Sequence, residues 1–194
     1  MNLNTPPEAP LSFKAQAPWS AWLAKNHGKS VGVWLRVAKT STKLPSITYA
    51  EAIESALCYG WIDGQRKSDG DEYYLQRFTP RTAKSIWSKI NRDKALALIE
   101  RGAMKAAGLK EVERAKSDGR WERAYDSHKT SVVPDDLQAA LDHNPKARAF
   151  FPTLSAQNRY AILFRIQTAK KPETRIKRIQ TFVAMLERHE TIHP

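Results

Sequence analysis

The first 80 residues alternate between helix-like and strand-like patterns of hydrophobic residues. In PWSAWLAKNHGKS, residues 18–30, tryptophan and leucine recur at helical spacing, with Pro18 suited to the first turn and Gly28 to the end. In VGVWLRVAKT, residues 31–40, every second residue is aliphatic, which is typical of a strand with one buried face. The inward residues of this strand are expected to be Val31, Val33, Leu35 and Val37.

A second helix is predicted over ITYAEAIESALCYG, residues 47–60. Thr48 and Glu51 have the spacing of a capping box, in which each side chain bonds the backbone N–H of the other residue. Gly60 can adopt the left-handed conformation that commonly ends a helix. The segment therefore has signals for both of its ends.

A β-hairpin is predicted to follow this helix. WIDGQRK and EYYLQRF, residues 61–67 and 72–78, flank the turn sequence SDGD. Because side chains alternate between the faces of a strand, Trp61, Asp63 and Gln65 are expected to share one face.

From residue 79 onward the strand pattern ends and helical patterns follow. Thr79 and Pro80 predict the start of a helix. The predicted fold class is α+β: N-terminal helices with a small antiparallel sheet, made of a strand plus a β-hairpin, followed by an all-helical C-terminal half. The predicted organisation is a loose N-terminal tail over 1–17, a helix–sheet unit over 18–80, and a helical region over 81–194 packed on it as one globular body.

Composition narrows the class of protein. Hydrophobic residues make up 41% of the 194 residues, and no apolar run has the length of a membrane span, so no membrane insertion is expected. The N-terminal sequence shows no basic start followed by an apolar stretch, and Cys58 is the single cysteine, which fits a reducing compartment. We therefore expect a cytoplasmic protein.

The formal net charge of +12 at pH 7 favours partners that carry negative charge. Nucleic acid, bound without sequence specificity, and phosphate-bearing ligands are both compatible with it. A well-solvated basic surface without a ligand is the alternative interpretation.

The segment QRFTPRTAKSIWSKINR, residues 76–92, is basic and contains no acidic residue. A helix that starts at Thr79 and Pro80 would offer free N–H groups and a favourable dipole to an anion. The candidate ligand-binding residues are Trp61, Asp63, Gln65, Arg77, Arg81, Lys84, Ser85 and Trp87. The alternative is structural: Arg77 and Arg81 would pair with Asp63, Asp69 or Glu72 across the hairpin and hold the helix onto the sheet, with Asp63 the favoured partner.

A second basic feature lies on the last predicted helix. Lys171, Arg175 and Arg178 recur with one-turn spacing, opposite an apolar stripe. They are candidates for contact with nucleic acid or lipid headgroups, and a solvated outer face is the alternative.

No catalytic residue, metal site or cofactor is predicted. HETIH, residues 189–193, matches the zinc motif H-E-x-x-H, but it falls at the end of this sequence without a further ligand nearby, so we interpret it as chance spacing. Cys58 lies among apolar helix residues and is interpreted as a buried structural thiol. Glycine-rich phosphate loops are absent from the sequence.

Several separated motifs resemble one bacterial family. SITYAEAIESALCYGWIDGQRK, QRFTPRTAKSIWSKINR, AGLKEVERAKSDGRWERAY, VPDDLQAAL and AKKPETRIKRI are together similar to the YdeI/OmpD-associated, or bacteriocin-protection, proteins. The resemblance implies tolerance of bacteriocins or antimicrobial peptides and a porin or envelope partner. It implies no catalytic residues.

Three hypotheses of function follow. The first is a non-enzymatic cytoplasmic protein that binds an anionic ligand, either a phosphorylated molecule or nucleic acid. The second is an enzyme with a pocket between sheet and helices, in which Asp63 acts as acid or base and Arg77 and Arg81 hold an anionic substrate. The third is a protein-interaction factor in envelope stress tolerance.

Overall fold

The computed structural model describes residues 9–194, so the first eight residues of the predicted tail lie outside it. The described residues divide into two compact units, one formed by 9–86 and 91–122 and the other by 87–90 and 123–194. The domain boundaries proposed from the sequence stay a prediction. Among the described residues, no helix has the length and hydrophobicity needed to cross a membrane.

The first unit contains the sheet, three complete helices and all but the first two residues of a fourth. Its elements are β1 (Leu11–Ser12), α1 (Gln16–Asn26), β2 (Val33–Ala38), α2 (Tyr49–Cys58), β3 (Trp61–Asp69), β4 (Tyr73–Pro80), α3 (Lys89–Glu100) and α4 (Ala106–Ser117). The strands form one sheet in the order β1-β2-β4-β3, in which β1 runs parallel to β2 and the other neighbours are antiparallel. The predicted strand and hairpin are thus confirmed, with the short β1 added at one edge.

One face of the sheet packs on helices and carries the core of this unit. Val33, Leu35 and Val37 are buried along β2, as the alternation predicts, whereas Val31 precedes the strand and is exposed. Aromatic rings join α1 to the hairpin: Trp19 stacks on Trp22 and contacts Phe78, and Trp22 meets Trp61 edge-on. The ring centroids are 5.4, 5.6 and 5.9 Å apart respectively. Burial of such large side chains supplies much of the stability of a small unit.

Local signals place α2 correctly. The Thr48 hydroxyl accepts a hydrogen bond from the Glu51 backbone N–H at 3.2 Å, and the Glu51 carboxylate accepts one from the Thr48 N–H at 2.8 Å. This is the predicted capping box, and the bond from the Thr48 backbone holds the pKa of Glu51 below its ordinary value. Gly60 follows the helix with a φ of +73°, as predicted.

The predicted helix start at Thr79 and Pro80 is wrong. Both residues are the last of β4, where Thr79 pairs with Ile62 and Pro80 with Trp61. Residues 81–88 form an irregular loop, and the next helix, α3, begins at Lys89. Pairing with β3 therefore overrides the local Thr-Pro helix signal.

The second unit is helical. Its elements are α5 (Asp135–Asp142), α6 (Pro145–Phe150), a 3-10 turn (Phe151–Thr153), α7 (Ala156–Gln167) and α8 (Pro172–Glu187). Its core includes Leu137, Phe151, Ile162, Ile179 and Leu186. The predicted all-helical C-terminal half is confirmed, and with the sheet of the first unit it establishes the α+β class.

Candidate functional site

Trp61, the first predicted site residue, belongs to the core. Its side chain is 1% exposed, and its indole N–H donates to the carbonyl of His27 at 3.1 Å. Both the apolar and the polar parts of the ring are thus satisfied within the protein. Trp61 stabilises the fold and presents little surface to a ligand.

Asp63 meets a tyrosine. The Tyr49 hydroxyl donates to the Asp63 carboxylate at 2.7 Å, and Asp63 forms no ion pair with any residue in 9–194. The expected pairing with an arginine is therefore wrong. The hairpin carboxylate that does pair is Asp69, which binds Arg36 at 2.6 Å.

A β-bulge separates Gln65 from Asp63. Asp63 is paired with Phe78 and Arg66 with Gln76, so Gly64 and Gln65 together lie opposite Arg77. The extra residue moves Gln65 to the opposite face, and the predicted shared face of Trp61, Asp63 and Gln65 ends at Asp63. The hypothetical catalytic set is not assembled either: Asp63 pairs with Phe78, and Arg77, the neighbouring residue of β4, lies on the opposite face of the hairpin.

Arginines hold the loop over residues 81–88. Arg81 is 5% exposed, and its guanidinium donates to the Ile86 carbonyl at 3.3 Å. Arg120, 6% exposed and paired with Asp118 at 2.7 Å, donates to the Ser85 carbonyl at 2.6 Å. Both guanidiniums thus stabilise backbone that belongs to no helix or strand.

The remaining predicted residues of this segment lie in different environments. The Ser85 hydroxyl accepts from the Thr82 N–H at 2.9 Å, and Lys84 is exposed. Trp87 is 2% exposed and belongs to the second unit, where its carbonyl accepts from the Tyr125 N–H at 2.9 Å. The structure therefore does not bring the eight candidates together.

On α8, two of the three predicted basic residues support helix packing. Arg175 forms a two-bond ion pair with Asp136 at 2.6 and 2.8 Å, which lowers the pKa of that carboxyl group. Arg178 donates to the carbonyl of Arg165, and Lys171 is exposed just before the helix. The basic face is thus partly used to join α8 to α5 and α7.

A concave pocket of about 430 Å³ lies where β2 ends and α2 begins. This volume is within the range of small-molecule sites. Three of the lining residues are basic, and no lining residue is acidic. The full lining is Ala38, Lys39, Thr40, Lys43, Leu44, Ser46, Ile47, Thr48, Tyr49, Arg66 and Tyr74. We call this cavity the basic pocket.

Arg66 reaches the basic pocket because of the bulge. The bulge returns Arg66 to the helix-facing side of β3, where its guanidinium carbon lies 3.6 Å from the centroid of the Tyr74 ring. Burial raises the pKa of the Tyr74 phenol above its ordinary value. An aromatic ring and a cation are thus fixed against each other at one wall.

The loop from β2 to α2 supplies the other cations. The ammonium group of Lys39 donates to the Gly70 carbonyl at 2.9 Å and keeps further N–H donors, whereas Lys43 is exposed. Lys43 has a φ of 53°, a left-handed conformation that is costly for a residue with a Cβ. Strain of this kind is often retained where a side chain serves a site.

Sequence reasoning missed the basic pocket. A signal was present in KTSTKLPSIT, residues 39–48, which combines two lysines with five hydroxyl side chains between a strand and a helix. The contribution of Arg66 carries no such signal, because it depends on the register of the hairpin.

No cluster of three or more His, Cys, Asp or Glu side chains within residues 9–194 is arranged to hold a metal ion. The HETIH segment follows the end of α8 and is not helical. The amide of Asn158 accepts from the N–H of His193 at 2.8 Å and donates to its carbonyl at 3.1 Å. His193 is therefore held by backbone contacts to α7.

Two family models match different parts of the chain. Residues 11–111 match the family described as domain of unknown function DUF8412, and residues 130–189 match the family described as bacteriocin-protection, YdeI or OmpD-associated. The second match confirms the resemblance found from the sequence motifs. No curated protein and no solved structure matches the chain. Because residues 11–111 are just over half of the sequence, the chain belongs to the DUF8412 family, and its C-terminal part is similar to the bacteriocin-protection family.

Proposed function

We propose that this protein is a non-enzymatic binding protein whose ligand is a small phosphate-bearing molecule held in the basic pocket. The observation that carries the proposal is the lining: Lys39, Lys43 and Arg66 with no carboxylate among the lining residues. Phosphate groups accept several hydrogen bonds and pair well with both ammonium and guanidinium groups. The hydroxyl groups of Thr40 and Tyr74 add neutral donors, whereas those of Ser46, Thr48 and Tyr49 already donate within the protein.

Two acidic residues that contact the lining are already engaged with it. Glu51 caps α2 through Thr48, and Asp63 accepts from Tyr49. Their charges are thus tied to neighbouring groups rather than to the three cations. This supports an anion as the occupant, because the cations keep their capacity for a ligand.

The proposed biological setting is tolerance of bacteriocins, in agreement with the family that residues 130–189 match. We place this function in the cytoplasm, where the single, buried Cys58 would stay reduced. Cell fractionation followed by immunoblotting tests this location. Recovery in the periplasmic or outer-membrane fraction would contradict it.

The binding proposal is tested by calorimetry and thermal shift with inorganic phosphate, pyrophosphate and ADP as probes. A probe that occupies the native state stabilises it by RT ln(1 + [L]/Kd), about 2.7 kcal/mol at a concentration of 100 Kd. The wild-type protein is expected to bind at least one probe. Lys43→Ala and Arg66→Ala are each expected to lower the affinity for that probe by about tenfold or more.

Lys84→Ala is the matched control, because it removes one exposed positive charge from the segment first considered as an anion site. It is expected to leave probe binding unchanged. Absence of binding by all three probes would contradict the proposal. Weaker binding in Lys84→Ala with unchanged binding in the pocket variants would move the site to residues 76–92.

A further inference from the structure

The face of the sheet opposite the basic pocket carries aromatic and basic side chains side by side. The register of β2, β4 and β3 puts Trp34 beside Arg77, and Leu75 between Arg36 and Lys67. Tyr73 lies at the far end of β4, next to Asp69. We call this surface the outer sheet face. Its side chains are half-buried or exposed, in contrast to the buried face that packs on the helices.

Each aromatic ring on the outer sheet face has a cation over it. The Lys67 ammonium lies 4.7 Å and the Arg77 guanidinium carbon 5.8 Å from the centroid of Trp34. The Arg36 guanidinium carbon lies 4.0 Å from the centroid of Tyr73. Cation–π contacts of this kind orient the rings and keep positive charge next to their planar surfaces.

The positive charge of the outer sheet face is only partly neutralised by the acidic residue on the same face. Asp69 is paired with Arg36 at 2.6 Å. Lys67 and Arg77 form no ion pair with any residue of the described chain. The outer sheet face therefore presents a half-buried tryptophan beside two cations that are not used in ion pairs within the described residues.

We propose that the outer sheet face binds single-stranded nucleic acid, with a base stacked on Trp34 and phosphates paired with Lys67 and Arg77. This inference goes beyond the proposed small-molecule function, because it concerns another surface and another class of ligand. Bases of single strands are free to stack on aromatic side chains and guanidinium planes, and a cationic surface attracts the phosphates that connect them.

The dimensions of the face agree with this occupant. Tyr73 lies four residues before Arg77, the partner of Trp34, so the Cα atoms of Trp34 and Tyr73 are about 14 Å apart at the usual strand rise and spacing. A strand of a few nucleotides spans this length and can use both rings. Duplex DNA keeps its bases stacked inside, so its bases have no access to Trp34.

The test is fluorescence anisotropy with labelled single strands of about 12 nucleotides, DNA and RNA, and a duplex of the same length, at about 50 to 200 mM salt. Single strands are expected to bind more tightly than the duplex. Trp34→Leu should weaken binding by about tenfold with little change in salt dependence, and Trp34→Phe, which keeps an aromatic ring, should restore most of it.

Charge removal is expected to act differently from ring removal. The double variant Lys67→Ala and Arg77→Ala should make the slope of log K against log salt concentration shallower by about 1.4, since each phosphate contact on a single strand contributes about 0.7. Lys25→Ala with Lys29→Ala removes the same charge from exposed positions near the end of α1 and should leave binding unchanged. Circular dichroism and melting curves establish that each variant is folded.

Four results would overturn the inference: no binding at low salt, preference for the duplex, equal loss of binding in the Lys25 and Lys29 control, or displacement of the strand by polyglutamate at equal charge. The last would assign the outer sheet face to an acidic protein segment. Pocket variants at Lys43 should not affect strand binding, so failure here and failure of the proposed small-molecule function are separate outcomes.

Discussion

The side-chain amide of Gln76 donates to the carbonyl of Gly64 at 3.0 Å and to that of Gln65 at 3.2 Å. These carbonyls belong to the two extra residues of the bulge in β3. The bulge interrupts the hydrogen bonds between β3 and β4, and the side chain of Gln76, which is 4% exposed, bonds the carbonyls that this interruption leaves without a strand partner. One buried side chain thus supports the register that places Arg66 in the basic pocket and Gln65 on the opposite side.

Gln76→Leu is expected to destabilise the protein by about 1 to 2 kcal/mol, because two partly buried hydrogen bonds to the bulge are lost. Urea denaturation measures the change in the free energy of unfolding. Gln65→Ala, which alters an exposed side chain of the same bulge, should stay within about 0.5 kcal/mol. Equal effects for the two variants would show that Gln76 does not stabilise the bulge.

Gly60 and Gly70 separate the cost of backbone conformation from the cost of crowding. Both have a φ of +73°, but a Cβ at Gly60 would lie 2.8 Å from the carbonyl oxygen of Ala107, whereas a Cβ at Gly70 would meet nothing within 4 Å. Each substitution by alanine should cost about 1 to 2 kcal/mol for the left-handed conformation.

Gly60→Ala should cost about 1 to 3 kcal/mol more than Gly70→Ala, because α4 must also move away from the end of α2. Chemical denaturation of the two variants side by side measures the difference. If their free energies of unfolding are the same, α4 does not pack against Gly60 as closely as the structure indicates.

Lys43→Gly should abolish binding in the basic pocket without lowering stability. Glycine adopts a φ of 53° without steric cost, and relief of the strain, partly offset by the greater freedom of the unfolded chain, should raise the free energy of unfolding by up to about 1 kcal/mol. Thermal melting and probe titration of the same sample report both effects. Lys29→Gly, at a position without a positive φ, should lower stability, and a similar loss for Lys43→Gly would refute the strain.

The ion pair between Asp136 and Arg175 should make stability depend on acid pH. The Arg175 guanidinium lowers the pKa of Asp136 in the folded state, so the contribution is present above the unfolded pKa and is lost as pH falls through the folded pKa. Asp136→Asn should therefore lower stability near neutral pH, by no more than about 1 kcal/mol because the pair is partly exposed, and the difference should shrink below about pH 4.

Thermal melts of natural protein and variant at both pH values measure this difference. Asp135→Asn is the neighbouring control, since Asp135 is exposed and has no ion pair within the described chain. Asp135→Asn should lower the free energy of unfolding by less than Asp136→Asn does. If the loss of stability caused by Asp136→Asn grows toward acid pH, the ion pair between Asp136 and Arg175 does not stabilise the folded state as described.

The sequence predicts well those features that depend on near neighbours. The capping box of Thr48 and Glu51 and the turn of the hairpin are both decided within a few residues, and both are found in the structure. The helix start at Thr79 failed because pairing with Ile62, on another strand, overrides local preference. Strand register and bulges depend on such distant partners.

The candidate site was hard to predict for the same reason. The basic pocket joins Lys39 and Lys43, from a loop, to Arg66, from the hairpin, and the pleat that orients Arg66 is set by the bulge. Composition indicated that cations are abundant, but not which of them remain available. Arg175 and Arg178, basic in sequence, are engaged in joining helices.

The bulge in β3 also affects how the protein behaves among its own copies. β3 is the last strand in the sheet order, and a regular edge strand offers unpaired N–H and C=O groups to which another chain can add. The bulge interrupts this row at Gly64 and Gln65, and exposed Arg66 and Lys67 follow directly. The same irregularity that shapes the basic pocket therefore makes the β3 edge of the sheet a poor template for another strand.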